Sequence, residues 1–160
     1  MEYNKSVSNP MLIGALELMN AEPTKEHNKM VSRELVKAVF LSPATVTPAP
    51  PEGSTKLIPG CQVSLPVLAA PDGKQFFMAY TDMDELKKWS DGDTTQTVSM
   101  TFEDYVMMMF RAEAQGKSAG VEGFVVNPYG AKLVVPKEKA KQVVMAKLEK
   151  AKGISKPSDQ

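Results

Sequence analysis

Gly123-Phe124-Val125-Val126-Asn127-Pro128-Tyr129-Gly130-Ala131-Lys132-Leu133-Val134-Val135-Pro136 is a pair of short apolar runs around a four-residue turn. Asn127 suits the first turn position, Pro128 presets φ for the second, and Gly130 suits the close. Phe124 to Val126 and Leu133 to Val135 are then the arms of a β-hairpin, rich in β-branched side chains. Both arms are apolar without a break, where a half-exposed strand would alternate. That predicts burial on both faces and a hairpin inside the domain.

Working outward, Pro136 opens a last helix over 137–152, with Ala140, Val144, Leu148 and Ala151 on its apolar side. Upstream, Gly120 and Gly123 flank the first arm, and Gly116 ends a helix that begins at Thr101-Phe102-Glu103-Asp104. That tetrad is a capping box with Asp in place of Glu. A strand is expected over 95–100. A second hairpin is expected from 63–70 and 75–81, turned by Pro71-Asp72-Gly73. Thr81 or Asp82 caps a short helix that has Asp84 and Glu85 in its first turn and buries Leu86 and Trp89; Ser90-Asp91-Gly92-Asp93 stops it. At the front, Asn9 reads as the N-cap and Pro10 as the first residue of a helix with Leu12, Ile13, Leu16 and Met19 on one stripe. A second helix runs from Thr24 to Ala38, its inner face marked by Val31, Leu35, Ala38 and Val39. Phe40-Leu41 opens a strand, and the proline-rich 43–53 reads as an extended loop.

This order predicts an α+β fold: a single domain over 9–152, between tails at 1–8 and 153–160. Its mixed β-sheet has about five strands, built from two hairpins and crossover helices, with an N-terminal helical pair. With 42% hydrophobic and 24% charged residues, the 160-residue chain has an ordinary globular composition. Lysine plus arginine balances aspartate plus glutamate at 19 each, so no overall field steers it to nucleic acid or anionic membrane. Cys61 and His27 are each the only one of their kind, which excludes an internal disulfide and a four-ligand Cys/His zinc site. There is no signal-peptide pattern and no apolar run of spanning length, so a cytoplasmic protein with no membrane partner is expected.

The chain resembles the N-terminal domain of the SseB-like family, named for enhanced serine sensitivity. Asn9-Pro10 with Leu12, Ala15 and Leu16 matches its opening helix, and Val39-Phe40-Leu41 followed by Pro43 matches the end of its second helix. Phe77, Tyr80-Thr81-Asp82, Glu85-Leu86 and Trp89 are similar to its central strand–helix unit. Phe102, Asp104-Tyr105, Gly123 to Gly130 and Leu133 to Pro136 complete the pattern. The match covers roughly residues 9–148, and the Asn-Pro-aromatic-Gly segment is its most specific part. The resemblance implies an α+β fold and no established reaction. Many relatives carry a second domain that these residues do not include, and the proline-rich insertion at 43–53 departs from the family pattern.

The sequence names no chemistry. It holds no G-x-S-x-G, P-loop or dinucleotide fingerprint, and no base sits beside Cys61. Asp82, Asp84 and Glu85 are explained by capping and the helix dipole, while Asp91 and Asp93 lack the spacing of a calcium loop. No metal, cofactor or catalytic residue is expected. The lysines of the last helix lack the interleaved arginines and aromatics that would favour nucleic acid. Met107, Met108, Met109 and Phe110 are a different matter. Three consecutive positions span about 200° of helix surface, so part of the run faces a layer or a partner, and a homodimer contact is one reading. Tyr80, Asp82, Trp89, Asn127 and Tyr129 fall at strand ends and turns, where polar groups can converge on a cleft. The leading expectation is a non-enzymatic protein-interaction or regulatory module with an unidentified protein partner. The alternative is a small-ligand-binding protein or enzyme using a cleft near Tyr80, Asp82 and Asn127.

Overall fold

A computed structural model describes residues 1–90, 95–114 and 121–151. In chain order the elements are α1 (Pro10–Ala21), α2 (Lys25–Lys37), β1 (Val39–Pro43), β2 (Thr45–Thr47), β3 (Gln62–Ser64), β4 (Val67–Ala69), β5 (Gln75–Ala79), α3 (Met83–Lys87), β6 (Thr97–Thr101), α4 (Phe102–Ala114), β7 (Val121–Val126), β8 (Leu133–Pro136) and α5 (Lys137–Ala151). The fold is α+β with two N-terminal helices. Its mixed sheet has the order β4-β5-β7-β8. Both expected hairpins lie in it, β4 against β5 and β7 against β8, each antiparallel. Between them β5 and β7 run parallel. A parallel pair needs a crossover, and α3, β6 and α4 supply it. β6 takes no place in that sheet; it pairs with β1, and β2 pairs with β3.

Local chemistry sets the helix starts. Thr24 Oγ1 accepts the His27 amide at 3.1 Å, and Asp82 Oδ1 accepts the Glu85 amide at 2.9 Å. Thr101 and Asp104 cap reciprocally: the Thr101 amide donates to Asp104 Oδ2 at 3.0 Å and the Asp104 amide to Thr101 Oγ1 at 3.2 Å. Asn9 is the exception. It stands at the N-cap of α1, but its side chain makes no capping bond; it is engaged elsewhere.

Phe124 of β7 sits at the centre of the core. Its ring stacks on Tyr105 at 4.6 Å between centroids, meets Phe102 edge-on at 5.5 Å and lies 6.3 Å from Phe40. Along β5, Phe77 and Ala79 face this main cluster while Met78 and Tyr80 face a second one with Leu41 and Leu86. That alternation is the period-two pleat of a strand covered on both faces.

Several sequence expectations are corrected. β7 is buried on both faces from Gly123 to Val126, but β8 is not: Val134 is 42% exposed because β8 is the sheet's edge. The loop over 43–53 contains β2, and the stretch over 63–70 splits at Leu65-Pro66 into β3 and β4. A proline there has no N–H for a continuous ladder. Val39 belongs to β1 and is exposed, outside the inner face of α2. Of the apolar side of α5, Ala140 is buried and Val144 packs, whereas Leu148 and Ala151 are exposed because the helix runs on past the core. In the N-terminal segment, Glu2 to Asn4 bond to β6, with Tyr3 buried and bridged to Val98. The stops at Asp91-Gly92-Asp93, Gly116 and Gly120, and the segment over 153–160, fall outside the described residues.

Candidate functional site

The carboxyl ends of the parallel strands β5 and β7 bring four of the five expected site residues close together, around one residue that sequence reasoning gave only a capping role. Thr81 is fully buried. Its amide donates to Asn127 Oδ1 at 3.0 Å, and its hydroxyl accepts from Asn127 Nδ2 at 3.0 Å while donating to Asp82 Oδ2 at 2.9 Å. Its carbonyl accepts from Asn9 Nδ2 at 2.9 Å, and the same Asn9 amide group grips both the N–H and the C=O of Val39. One threonine therefore joins α1, β1, β5, α3 and β7.

Asn127 does more than open the turn. Its φ is +46°, in the left-handed region that asparagine tolerates better than most residues. Its amide donates to Ala79 O at 2.9 Å, and its carbonyl accepts the Gly130 amide at 2.9 Å, closing the expected turn. Gly130 is needed for a separate reason: a Cβ there would run into the Glu85 carboxylate.

Tyr80 is fully enclosed, with its hydroxyl on Met78 Sδ at 3.3 Å. Burial pushes its ionisation above the ordinary phenol range, and Tyr129 and Glu85 add to the shift. Tyr105, on the other face, donates to Met78 O at 2.7 Å and is shifted upward by burial as well. Tyr129 stands 49% exposed at the tip of the turn. Trp89 is half-buried and packs, with Val7, Leu68 and Met83, against the Leu41, Met78, Tyr80 and Leu86 cluster. Glu85 binds Lys88 Nζ through Oε2 at 2.8 Å, while its Oε1 is buried with no hydrogen-bond partner.

The methionine run divides as helix geometry requires. Met109 is buried, Met108 and Phe110 are half-buried, and Met107 is 59% exposed. Lys141 and Lys137 stand 5.2 and 6.0 Å from the Phe110 ring centroid, so that ring faces the start of α5. No group of three or more His, Cys, Asp or Glu residues able to hold a metal occurs among the described residues, and Asp91 and Asp93 lie outside them. No helix among those residues is long and apolar enough to cross a membrane.

Sequence reasoning missed a second region. Between α2, β8 and α5 lies an open hollow of about 140 Å³, walled by Val31, Leu35, Val36, Phe102, Leu133, Val134, Val135 and Val143, with Asn28, Ser32 and Lys139 on it. Its residues come from three distant stretches, so no local motif marks it. The one usable signal was the unbroken apolarity of β8, read as burial. A larger, more polar hollow of about 390 Å³ lies where the N-terminal segment crosses β6, bordered by the Glu2–Lys5 ion pair.

The family model for the SseB protein N-terminal domain matches residues 12–142. Searches of curated proteins and of solved structures return no match.

Proposed function

The chain belongs to the SseB N-terminal-domain family, and from that premise we propose that it is a non-enzymatic interaction module of regulatory type, binding a protein partner in the cytoplasm. One observation carries the reading: the hollow between α2, β8 and α5 leaves Val134 open to solvent at a sheet edge, with Val36 and Val143 half-buried on the helices beside it. Apolar side chains gathered around a hollow, unlike the singly exposed Met107 or Leu148, form a surface that a partner stabilises. The polar groups at the Thr81 node, by contrast, are engaged with one another. A photo-crosslinking amino acid placed at Val36 or Val143, and at exposed Glu17 on α1 as control, tests this in living cells. The expected result is one discrete adduct from the two hollow positions and none from Glu17. An identical adduct pattern at all three positions overturns the reading.

The second reading, a small-ligand binder or enzyme near Tyr80, Asp82 and Asn127, is favoured by a specific feature, the unpartnered Glu85 Oε1 beside Gly130. It expects one metabolite of a panel to raise Tm, and Glu85→Gln to abolish that rise. A panel in which no compound moves Tm removes it.

A further inference from the structure

We infer that the occupant of this hollow is an extended, acidic segment of a partner protein, added along the open edge of β8 with an apolar side chain in the hollow. The inference rests on the interaction-module reading and names the partner's chemistry.

Three observations converge. First, β8 ends the sheet order and is paired on one side, by β7. The hollow touches Leu133, Val134 and Val135 in succession. Successive strand side chains point to opposite faces, so a hollow reaching all three runs along the strand's edge and not over one face. An edge of that kind offers backbone donors and acceptors to an added strand. Pro136 offers no N–H, which limits pairing to a short segment.

Second, the opposite wall is apolar, from Val31, Leu35 and Val36, and suits an aliphatic or aromatic anchor. Third, the rim is basic on a chain of zero net charge. Lys139 lines the hollow, Lys132 precedes β8, and Lys25 and Lys29 lie on α2 at helical spacing from Asn28, Ser32 and Val36. None of these four lysines has a carboxylate within 4.0 Å among the described residues. Of the acids nearest in sequence, Glu138 is one residue from Lys139 and about 100° around α5 from it. Glu26 is about 100° from Lys25 but shares a side of α2 with Lys29, three residues on, without coming within 4.0 Å of it. Elsewhere on α5 the charges are matched: Lys137, on the side away from Lys139, meets Glu113 at 3.5 Å, and Lys147, one turn past Val143, meets Glu103 at 2.8 Å.

An open edge, an apolar wall and unmatched lysines select an extended segment with carboxylates flanking an apolar residue. A helix would leave the edge unpaired. A second copy added edge to edge about a two-fold axis at the middle of β8 would run antiparallel and bring Lys132 of one copy toward the Lys137–Lys139 start of α5 in the other, which like-charge repulsion opposes.

Selection of random linear peptides displayed on phage against the full chain tests this. The expected winners are acidic, with one bulky apolar residue between carboxylates. A synthesised winner should slow amide exchange at Val134 or its strand neighbours and bind more weakly as salt rises. It should bind at least tenfold more weakly to exposed-site variant Lys139→Glu and within about threefold of wild type to Lys139→Arg. Winners that are basic, that fold as helices on binding, or whose exchange footprint misses 133–135 overturn the inference. Self-association of the chain through β8 overturns it too. If no peptide is selected while discrete crosslinks from Val36 and Val143 persist, this inference falls and the interaction-module reading stands. If the crosslinks fail as well, both fall.

Discussion

At Thr81 the amide, the hydroxyl and the carbonyl all meet side-chain partners, supplied by Asn9, Asp82 and Asn127. Beside β8 the reverse holds: valines line an unfilled hollow, and Lys139 on it has no carboxylate within 4.0 Å among the described residues. The contrast separates two kinds of polar and apolar exposure. Groups that satisfy each other specify a fold, since leaving any one of them unpaired in a buried place costs free energy. Groups left unsatisfied at a surface contribute little to folding and are available to a partner. The residues by which the family is recognised belong mostly to the first kind, so recognition of the family says how the chain folds before it says what the chain does.

The sharpest way to break this comparison is Asn127→Ala. It strips the partner from the buried Thr81 amide, removes one of the two from its hydroxyl and places alanine at φ +46°. The expected loss is about 3 kcal/mol in denaturant unfolding, from unsatisfied buried groups plus backbone strain. A loss below about 1 kcal/mol would mean that the node does not organise the fold.

Next in size is an alkaline effect from the core on both sides of the sheet. Tyr80 and Tyr105 titrate near 10 when unfolded and higher in the fold, chiefly through burial. Their contribution is therefore fully present below pH 10 and is lost as pH rises from there toward the folded values. Each phenol should remove up to about 1.4 kcal/mol per pH unit above pH 10. Denaturation midpoints across that range measure it, and Tyr80→Phe should reduce the slope. An unchanged slope would place Tyr80 in water in the folded chain, against its enclosure.

Much of this was legible because short-range signals coincide with tertiary ones. Asn127 and Gly130 were readable as turn residues, and Asp82 and Thr101 as caps, since each acts on backbone a few residues away. What escaped is nonlocal. Asn9 looked like a cap because it precedes Pro10, yet its amide reaches Val39 and Thr81. Nothing in the local sequence distinguishes the two uses. Likewise the apolar runs Phe124 to Val126 and Leu133 to Val135 are alike in character, and only the strand order makes one central and the other an edge. The site residues at 80, 82, 127 and 129 were found together because they flank the ends of adjacent strands. The hollow was not found, because it is made by α2 approaching a strand about a hundred residues later.

Smaller again is a coupling between the turn and α3. Gly130→Ala pushes a Cβ into the Glu85 carboxylate, which must swing away from its buried position. A flexible side chain yields cheaply, so the expected loss is about 1 kcal/mol. Because the clash is with that one side chain, Gly130→Ala in a Glu85→Ala background should lose almost nothing. A double-mutant cycle returning a coupling near zero would show that the glycine is needed for its backbone and not for the room it leaves.

The smallest effect is expected in the hollow, and its smallness is the point. Val134→Thr keeps the β-branched shape at a position that is 42% exposed, and Lys139→Ala removes a charge with no acid within 4.0 Å among the described residues. Neither change breaks a hydrogen bond or opens a cavity, so each should alter unfolding free energy by less than about 0.5 kcal/mol. Binding should respond differently, since the same substitutions remove apolar edge surface and basic charge from the region proposed to hold the partner. Unfolding in denaturant, run beside crosslinking from Val36, reads both quantities on the same proteins. If Val134→Thr instead destabilises the fold by more than about 1 kcal/mol, the edge valines serve packing. The distinction between a self-satisfied node and a surface left open for a partner would then fail at the place it was drawn.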